Sequence, residues 1–522
     1  MAKKVEATKL PNIRKASPKV PVIGVFATGD PRIDQESRTR CQNIVRMAAE
    51  TISGAVVLPD KTLVPVVYST VLVDGEAQAD IVAQQFRKAG VDILVCVPDT
   101  WAFPQLTAIS LLQQFPANTP LNITCGNSGP KPGVVYAHAL NGALAQYGRM
   151  ATLNVGTWPD TGLDPKMTEQ TAQSLIDWCY AAVTAVALRG RRVVIFGHDS
   201  MGMETGFPHL TPTLKSLGLT VRQIDQLLLV KMMEQVDESE VERGFEWFTE
   251  MLGDRIRYDG KMLTPETLKT QIRLYLAMEM VNREKGFDFC GLKGQRELTE
   301  YVCLGDVPEM LMNDPYDWRG PKEPTVCSTE ADTYAAITMQ LLKYLSGGLP
   351  TVFMDVRLYH PDLDIWDWCN SGNHPSYFAA RSLDPKENFK KITLHPALEF
   401  YFKAGGASVE FDAAPGEMTF ARLGLWDQKP YMVIVPGEVV ELDEETRRRI
   451  NEETNPTWPH VHARLECSFE EFITVFPCNH VLGVEGDRVR PLTYLCEIAG
   501  ITPVILGPRA KERIAPIWER VT

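Results

Sequence analysis

The stretch between residues 21 and 101 decides the fold class, because short apolar runs alternate there with segments of helical periodicity. In chain order it contains PVIGVFATG (21–29), SRTRCQNIVRMAAETI (37–52), AVVLP (55–59), DIVAQQFRKAG (80–90) and VDILVCVPDTW (91–101). This alternation predicts strand, helix, strand, helix, strand, which is typical of a parallel α/β sheet. The apolar runs are continuous, as expected when helices cover both faces of a sheet. We expect residues 28–32 and 98–101, at the carboxyl ends of two strands, to border a ligand-binding crevice.

The same pattern restarts near Met167 and changes near residue 346. A long amphipathic segment (169–190) precedes the apolar run RRVVIFG (191–197), whereas the last third of the chain has short β-like runs such as YMVIVPGEVVEL (431–442). The predicted fold class is therefore α/β, with two N-terminal parallel-sheet α/β domains followed by a β-richer C-terminal domain. The predicted boundaries are an N-terminal arm at 1–19 and domains at 20–166, 167–345 and 346–522.

The composition excludes several classes of protein. Of 522 residues, 44% are hydrophobic and 23% charged, which is ordinary for a folded globular chain. The net charge of −13 disfavours nucleic acid as a partner, and no apolar run approaches the roughly 20 residues that span a membrane. The N-terminus lacks the apolar core of a secretion signal, and the 11 cysteines include no C-x-x-C pair. We therefore expect a cytoplasmic enzyme with reduced thiols.

Two acidic residues stand where predicted elements end. Glu330 lies just before a helical segment, and Asp355 closes the apolar run TVFMD (351–355). An acid before a helix has an ordinary explanation, since it complements the free amides and the dipole of the helix N-terminus. A carboxylate at the end of a buried strand is costly unless a cation, a metal or several donors meet it, and Arg357 is one such cation. Both explanations stay open from the residues alone.

A histidine near the C-terminus could complete a metal site with these acids. His480 follows an apolar run in VFPCNHVLGVEGD (475–487). A single histidine is more often a hydrogen-bonded structural residue than a ligand. Two carboxylates and one histidine with open coordination positions suit a hard divalent ion such as Mn²⁺ or Mg²⁺ better than a closed zinc site. Sequence spacing alone does not bring the three together.

A nucleotide- or phosphate-binding enzyme is a competing class, because the glycine-containing segment GHDSMGMETG (197–206) follows a predicted strand. The segment matches neither the P-loop nor the G-x-G-x-x-G fingerprint, and it has no lysine at the required place. The residues therefore disfavour this class.

Several motifs occur in an order and at separations that resemble the L-fucose isomerase family. They are GLKGQRELTEYVCLGD (291–306), VCSTEAD (326–332), VFMDVRLY (352–359), NSG (370–372), TNPTWP (454–459) and CNHVL (478–482). The resemblance is most specific between residues 291 and 359. It extends over most of the chain, since PVIGVFATGDPRID (21–34), CVPDTW (96–101) and GHDSMGM (197–203) also fit.

The resemblance implies an aldose–ketose isomerase that binds one Mn²⁺ per subunit, with Mg²⁺ or Co²⁺ as substitutes. In that family a Glu, an Asp and a His bind the ion, and the two acids move protons on an open-chain sugar through an ene-diol. By motif, these residues are Glu330, Asp355 and His480. The family also implies a homo-hexamer whose active sites are completed by a neighbouring subunit. The residues expected by motif to contact the sugar are Arg32, Trp101, Gln295 and Asn479.

One departure from the family pattern concerns the choice of sugar. After T-W-P the family tends to carry a second tryptophan, whereas this chain reads His460, Val461, His462. If His462 faces the C6 end of the sugar, the pocket favours a polar C6 group, such as a hydroxyl or a sulfonate, over a methyl. A metal site at H-x-H lacks a third ligand nearby in the sequence. A catalytically silent sugar-binding protein is a further alternative, although all three implied metal ligands are retained.

Overall fold

The computed structural model describes residues 20–126, 132–156, 158, 162–371 and 374–512. The predicted N-terminal arm and Gly372 of the NSG motif lie outside these residues. Three main sheets follow one another along the chain, two of them parallel and the third mixed and rich in strands. The predicted class, with two parallel-sheet units before a β-richer one, is confirmed.

The first sheet is parallel and has the strand order β2-β1-β3-β4-β5. Its strands are β1 (Ile23–Phe26), β2 (Val66–Tyr68), β3 (Ile93–Cys96), β4 (Leu121–Gly126) and β5 (Thr152–Gly156), and its helices are α1 (Gln35–Ile52), α2 (Glu76–Ala89), α3 (Ala108–Leu112) and α4 (Gly133–Gln146). The second strand lies at 66–68, not in the AVVLP run, where Val57 forms only a single bridge with Leu63. The strand order reverses between β1 and β3, so residues 28–32 and 98–101 flank a switch point.

The second sheet is parallel, with the order β11-β8-β6-β7. This unit contains α5 (Glu169–Leu188), β6 (Arg192–Phe196), α6 (Leu210–Leu217), β7 (Thr220–Ile224), α7 (Leu227–Met233), α8 (Glu238–Leu252), α9 (Pro265–Lys285), β8 (Phe289–Leu292), α10 (Glu297–Tyr301), α11 (Asp306–Asn313), β9 (Tyr316–Asp317), β10 (Gly320–Pro321), β11 (Cys327–Ser328) and α12 (Thr333–Leu345). Every residue of α12 is buried. The helix therefore belongs to the interior of the molecule.

The third sheet has the order β16-β19-β12-β13-β18-β17-β20 and closes on itself, because β16 also pairs with β17. The elements are β12 (Val352–His360), β13 (Ile365–Cys369), α13 (Pro385–Phe389), β14 (Thr393–Pro396), β15 (Ala407–Glu410), β16 (Gly416–Trp426), β17 (Lys429–Val439), α14 (Glu444–Glu453), β18 (His460–Leu465), α15 (Phe469–Val475), β19 (His480–Glu485), α16 (Val489–Ala499) and β20 (Thr502–Ile505). Most of its pairings are antiparallel.

Helix α12 joins the second unit to the third, and α5 packs against β5 and α1 of the first unit as well as against α12 and α16. Helix α12 packs on β8 and on the third-sheet strands β16 and β19. Helix α5 packs on α16, where the hydroxyls of Ser174 and Tyr494 lie 2.9 Å apart and Arg490 pairs with Asp177 at 3.3 Å. All eleven cysteines are free. Within the described ranges, none of the helices combines the length and the apolar character needed to cross a bilayer.

Candidate active site

The structure brings Glu330, Asp355 and His480 together where the second and third sheets adjoin. Asp355 on β12 and His480 on β19 are directly paired across the sheet, so their side chains share a face. Glu330 lies in the short segment between β11 and α12. His480 Nε2 is 3.2 Å from Glu330 Oε2 and 3.4 Å from Asp355 Oδ1. His480 is buried, and each carboxylate side chain keeps less than a fifth of its surface exposed, enough for access from one side.

Glu330 is held in an uncommon backbone conformation. Its φ is 57° and that of Ala331 is 55°, in the left-handed region that residues with a Cβ rarely adopt. The turn is held by hydrogen bonds from the Ala331 N–H to the Leu292 carbonyl and from the Asp332 N–H to the Thr329 carbonyl. Such conformations persist where the surroundings fix them, and they are frequent at functional sites. Glu330 is not the cap of α12, since Asp332 accepts the N–H of Ala335 and serves that role.

Asp332, which the sequence interpretation missed, orients His480. Its Oδ2 accepts the His480 Nδ1–H at 2.6 Å, and the guanidinium of Arg422 donates to both of its oxygens at 2.8 and 3.1 Å. All three side chains are buried. Burial by itself raises the pKa of Asp332, but Arg422 and His480 outweigh it and hold that pKa well below its ordinary value. A carboxylate behind a histidine fixes which ring nitrogen faces a ligand, here Nε2.

The electrostatics of the site favour positive charge at His480 Nε2. Burial lowers the pKa of His480, yet its hydrogen bond to Asp332 and the nearby carboxylate of Glu330 raise it to about 10. Burial raises the pKa of Asp355; His480 opposes this effect, and the charge of Glu330 adds to it. The crowded carboxylates therefore attract a cation, whether a proton or a metal ion.

The donor atoms fit a hard divalent cation. Asp355 Oδ1 and His480 Nε2 are buried, and among the described residues neither has a hydrogen-bonding partner. Glu330 Oε2 approaches the same nitrogen. Two carboxylates and one imidazole that converge from one side leave coordination positions for substrate oxygens and water.

Arg357 is the cation beside Asp355. The register of β12 against β13 shifts between Val356 and Leu358, so Arg357 occupies a bulge. Its Nη2 donates to Asp355 Oδ2 at 3.0 Å, and its guanidinium carbon lies 5.1 Å from the ring centre of Trp458. Arg357 therefore engages one oxygen of Asp355 while the other faces His480.

Of the predicted sugar contacts, Asn479 and Gln295 lie in segments that adjoin the three site residues. Asn479 is exposed next to His480, and its Nδ2 lies 3.6 Å from the sulfur of Met203. Gln295 is half-buried just past the end of β8, and β8 pairs with the strand that leads to Glu330. Met203 belongs to the GHDSMGMETG segment, which thus borders the candidate site. The sequence interpretation counted part of that segment toward the family resemblance and weighed it for nucleotide binding, but it named no site residue there.

Arg32 and Trp101 lie together at the carboxyl edge of the first sheet. The side chain of Arg32 is exposed, pairs with Asp30 at 2.6 Å and lies over the ring of Phe103. Trp101 meets Phe103 and Tyr136 edge-on, at 5.9 and 6.4 Å between ring centres. In the described part of the chain, none of these contacts connects the pair to Glu330, Asp355 or His480.

His462 does not join the three site residues. It is 2% exposed, and its Nε2–H donates to Asn451 Oδ1 at 3.0 Å. Its ring stacks beside that of His460 on β18. That His462 enters a sugar pocket therefore remains a prediction.

Two residues of the site carried little or no signal in the sequence. Asp332 stands two positions after Glu330 and caps α12. That ordinary role is enough to explain an acid at this position, so nothing in the sequence assigned Asp332 to the site. Arg422 lies within a long strand, 90 residues from its partner, and nothing in the local pattern marks it. Contacts over such separations depend on strand pairing, not on sequence spacing.

The sequence matches three domains described for one family. They are the first N-terminal domain of L-fucose isomerase at residues 20–190, the second N-terminal domain at 278–347 and the C-terminal domain at 368–506. The chain is also similar to two proteins named L-fucose isomerase. One, from Bacteroides thetaiotaomicron, is 25% identical over 505 residues, and one from Streptococcus pneumoniae is 25% identical over 501 residues. Each alignment covers 84% of both chains.

Proposed function

Because the chain belongs to the L-fucose isomerase family, we propose that it is a sugar isomerase that interconverts an open-chain aldose and its ketose. One observation carries the proposal furthest. Two carboxylates, Glu330 and Asp355, converge on the same nitrogen of His480, and that histidine is oriented by a buried acid. A 25% identity supports the type of reaction more strongly than the identity of the sugar.

Glu330, Asp355 and His480 would hold the divalent cation, and Mn²⁺ suits this donor set. When bound, the ion stabilises negative charge that develops on the sugar oxygens. Asp332 contributes by holding the Nδ1 proton of His480, which keeps Nε2 directed at the ion site. Arg357 restrains Asp355 through one oxygen and so fixes the direction of the other.

The proton chemistry falls to the two carboxylates. Moving hydrogen between C1 and C2 requires a base that removes a weakly acidic proton and an acid that returns it. Burial raises the pKa of Asp355, which brings its protonated and ionised forms closer in energy at neutral pH. Glu330, fixed by its left-handed turn, is the second acid at the site. We assign the proton transfers of the ene-diol reaction to this pair.

The sugar contacts divide into two groups. Gln295 and Asn479 adjoin the three site residues in the same chain. Arg32 and Trp101 stand at the edge of the first sheet, and we assign them to the active site of a neighbouring subunit in a homo-hexamer. The exposed guanidinium of Arg32 and the half-buried ring of Trp101 would then meet the sugar from the far side. Mixing inactive Trp101→Ala and Glu330→Gln proteins should restore activity after subunit exchange, and no recovery despite proven exchange would refute shared sites.

The leading substrates are L-fucose and D-arabinose, and the alternative is an aldose with a polar or sulfonated C6. The alternative depends on His462, which is buried against Asn451. The deciding comparison is kcat/KM for L-fucose, D-arabinose and C6-hydroxylated or C6-sulfonated aldoses, in the native protein and in His462→Trp. A clear preference for the C6-polar sugars that His462→Trp weakens would favour the alternative.

Metal removal tests the proposal as a whole. Chelation should abolish turnover, and Mn²⁺ should restore it, with Mg²⁺ and Co²⁺ as comparison ions. Affinity for the ion should fall in acid, because the ligands take up protons. Full turnover in a verified metal-free preparation would refute the metal assignment. Absence of turnover with every sugar despite bound metal would support a catalytically silent sugar-binding protein instead.

A further inference from the structure

Four side chains of metal-binding type face one another across β13 and β18, outside the candidate active site. Asp367 is paired with His462 and Cys369 with His460 in the register of these strands. Directly opposed residues of an antiparallel pair lie on the same face of the sheet. All four are at most 2% exposed. Sequence spacing showed only the H-x-H half of this group, because the other half comes from a strand about ninety residues earlier.

The hydrogen bonds of His460 direct one ring nitrogen into the group. Its Nε2 lies 2.8 Å from the carbonyl oxygen of Asn455, which can only accept, so Nε2 carries a proton. The other nitrogen, Nδ1, faces Asp367 Oδ1 at 2.8 Å. The second oxygen of Asp367 accepts the hydroxyl of Thr454 at 2.7 Å. A ligating histidine is held in this way by a carbonyl behind it.

We propose that Asp367, Cys369 and His460 form a second metal site, which binds a tetrahedral ion of the Zn²⁺ or Co²⁺ type. One ligand atom from each residue lies within 4.8 Å of the other two. A thiolate, an imidazole and a carboxylate together select a zinc-like ion over the harder Mn²⁺ or Mg²⁺. His462 borders the group, with Nε2 3.8 Å from the same oxygen of Asp367, but that nitrogen donates its proton to Asn451. The site goes beyond the proposed isomerase function and uses none of the residues assigned to it.

Charge balance allows the site to exist with or without the ion. In the present geometry both nitrogens of His460 face acceptors, so the ring is an imidazolium that neutralises Asp367, and burial keeps Cys369 a neutral thiol. Binding of a divalent ion displaces the Nδ1 proton and the thiol proton. Two positive charges then meet one thiolate and one carboxylate, and the group is neutral again. A buried site thus exchanges two protons for one ion without an uncompensated charge.

The second site is separate from the first although both lie on one sheet. Asp355 on β12 neighbours β13, and His460 lies one strand further on β18, at roughly 4.8 Å per strand. The proposed second site supplies a thiolate, whereas Glu330, Asp355 and His480 supply none. A thiol does stand near the first site, because Cys478 Sγ groups with Asp332 and His480. Cys478→Ser is therefore the matched control for Cys369→Ser.

Cobalt titration of the full-length, metal-free protein tests the site. The native chain should bind two Co²⁺ and show a thiolate-to-cobalt charge-transfer band with strong tetrahedral d–d absorption. Cys369→Ser should lose the band and one ion, whereas Cys478→Ser should keep both. Glu330→Gln should keep the thiolate band, and in this variant Zn²⁺ binding should release two protons per ion at the second site, measured with an indicator dye in weak buffer.

The opposite results overturn the proposal. If the native chain bound a single ion and showed no thiolate band, His460 and Asp367 would remain an ion pair and no metal ion would bind between them. A band lost in Cys478→Ser and kept in Cys369→Ser would assign the thiolate to the first site. The proton-release measurement is made on Glu330→Gln, in which Cys369 and the other second-site residues are native. It therefore tests the second site even if Cys369→Ser fails to fold. None of these measurements requires turnover, so their failure is distinct from failure of the isomerase proposal.

Discussion

Two buried histidine–aspartate pairs lie in the third sheet, and they differ in what the second ring nitrogen meets. His480 gives its Nδ1–H to Asp332 and turns Nε2 toward Glu330 and Asp355. His460 places Nδ1 against Asp367 and donates Nε2–H to a backbone carbonyl. Among the described residues, Nε2 of His480 has no hydrogen-bonding partner, whereas both ring nitrogens of His460 face acceptors. The environment of the second nitrogen, and not the pairing itself, therefore distinguishes the candidate active site from the proposed second metal site.

The partners of the two aspartates extend this difference. Asp332 is also bound by Arg422, which cannot lose its proton at ordinary pH. Asp367 is bound by the hydroxyl of Thr454 and by a histidine that can lose its proton. The first pair is therefore fixed as an ion pair, and the second can exchange its proton for another cation.

The largest expected effect removes the carboxylates that face His480. Glu330→Gln and Asp355→Asn should each lower kcat by roughly 10²- to 10⁴-fold, the scale of a general acid or base, with a greater loss if metal binding also fails. Steady-state kinetics at saturating Mn²⁺ measure the change. Asp364→Asn, in the turn after β12, is the control acid on the same hairpin and should behave as the native protein does. Near-native turnover in either site variant would assign the chemistry to other groups.

The next effect compares the two aspartates directly. Asp332→Asn leaves the buried charge of Arg422 unpaired and should cost about 3–5 kcal/mol of unfolding free energy. Asp367→Asn should cost less, about 1–3 kcal/mol, because His460 can shed its proton. Denaturant unfolding in the presence of a chelator measures both values. Equal losses of unfolding free energy would contradict the idea that His460 can lose its proton whereas Arg422 cannot.

Metal activation separates the same two variants. Only Asp332→Asn should raise the Mn²⁺ concentration needed for half-activation, by roughly 10- to 100-fold, since it weakens the group that orients His480. The asparagine can still cap α12, so the helix start is preserved. An unchanged activation curve in Asp332→Asn would show that His480 needs no such support.

The sequence predicted the fold class from local periodicity, and periodicity also explains the one strand it placed wrongly. Strands β1, β3 and β4 are entirely buried, and their continuous apolar runs mark them clearly. Strand β2 is a short edge strand with partly exposed residues, so its pattern is weaker than that of the neighbouring AVVLP run. An apolar run predicts that a segment is buried. A strand at the edge of a sheet can be partly exposed, so an apolar run does not locate it reliably.

The candidate site was predictable only in part, because its members meet through strand register. Resemblance to a family supplied Glu330, Asp355 and His480, and the pairing of Asp355 with His480 agrees with their proximity. No local pattern could place Arg422 against Asp332 or Asp367 against His460. The H-x-H segment lacked a third ligand in the sequence for the same reason. Side chains that sheet pairing brings together from distant strands are invisible to motif spacing.

Another buried histidine, His374, gives the smallest predicted effect. Neither ring nitrogen of His374 has a hydrogen-bonding partner among the described residues. Burial, together with the charge of His460, lowers the pKa of His374 from 6.5 to about 3. The unfolded chain therefore takes up a proton at this position before the folded chain does. Stability from His374 is complete above about pH 6.5 and is lost as the pH falls toward 3.

At about pH 5.5 this loss should amount to roughly 1.4 kcal/mol relative to neutral pH, the value of one pKa unit. His374→Leu removes the titrating ring. Between pH 7.5 and 5.5, the unfolding free energy of this variant should therefore drop by about 1.4 kcal/mol less than that of the native protein. Denaturant unfolding at the two pH values measures the difference, and His138→Leu, on the exposed face of α4, controls for the loss of a histidine as such. Equal pH dependence in native protein and His374→Leu would show that His374 is protonated in the fold. In that case His374 would resemble His460, whose ring nitrogens face hydrogen-bond acceptors.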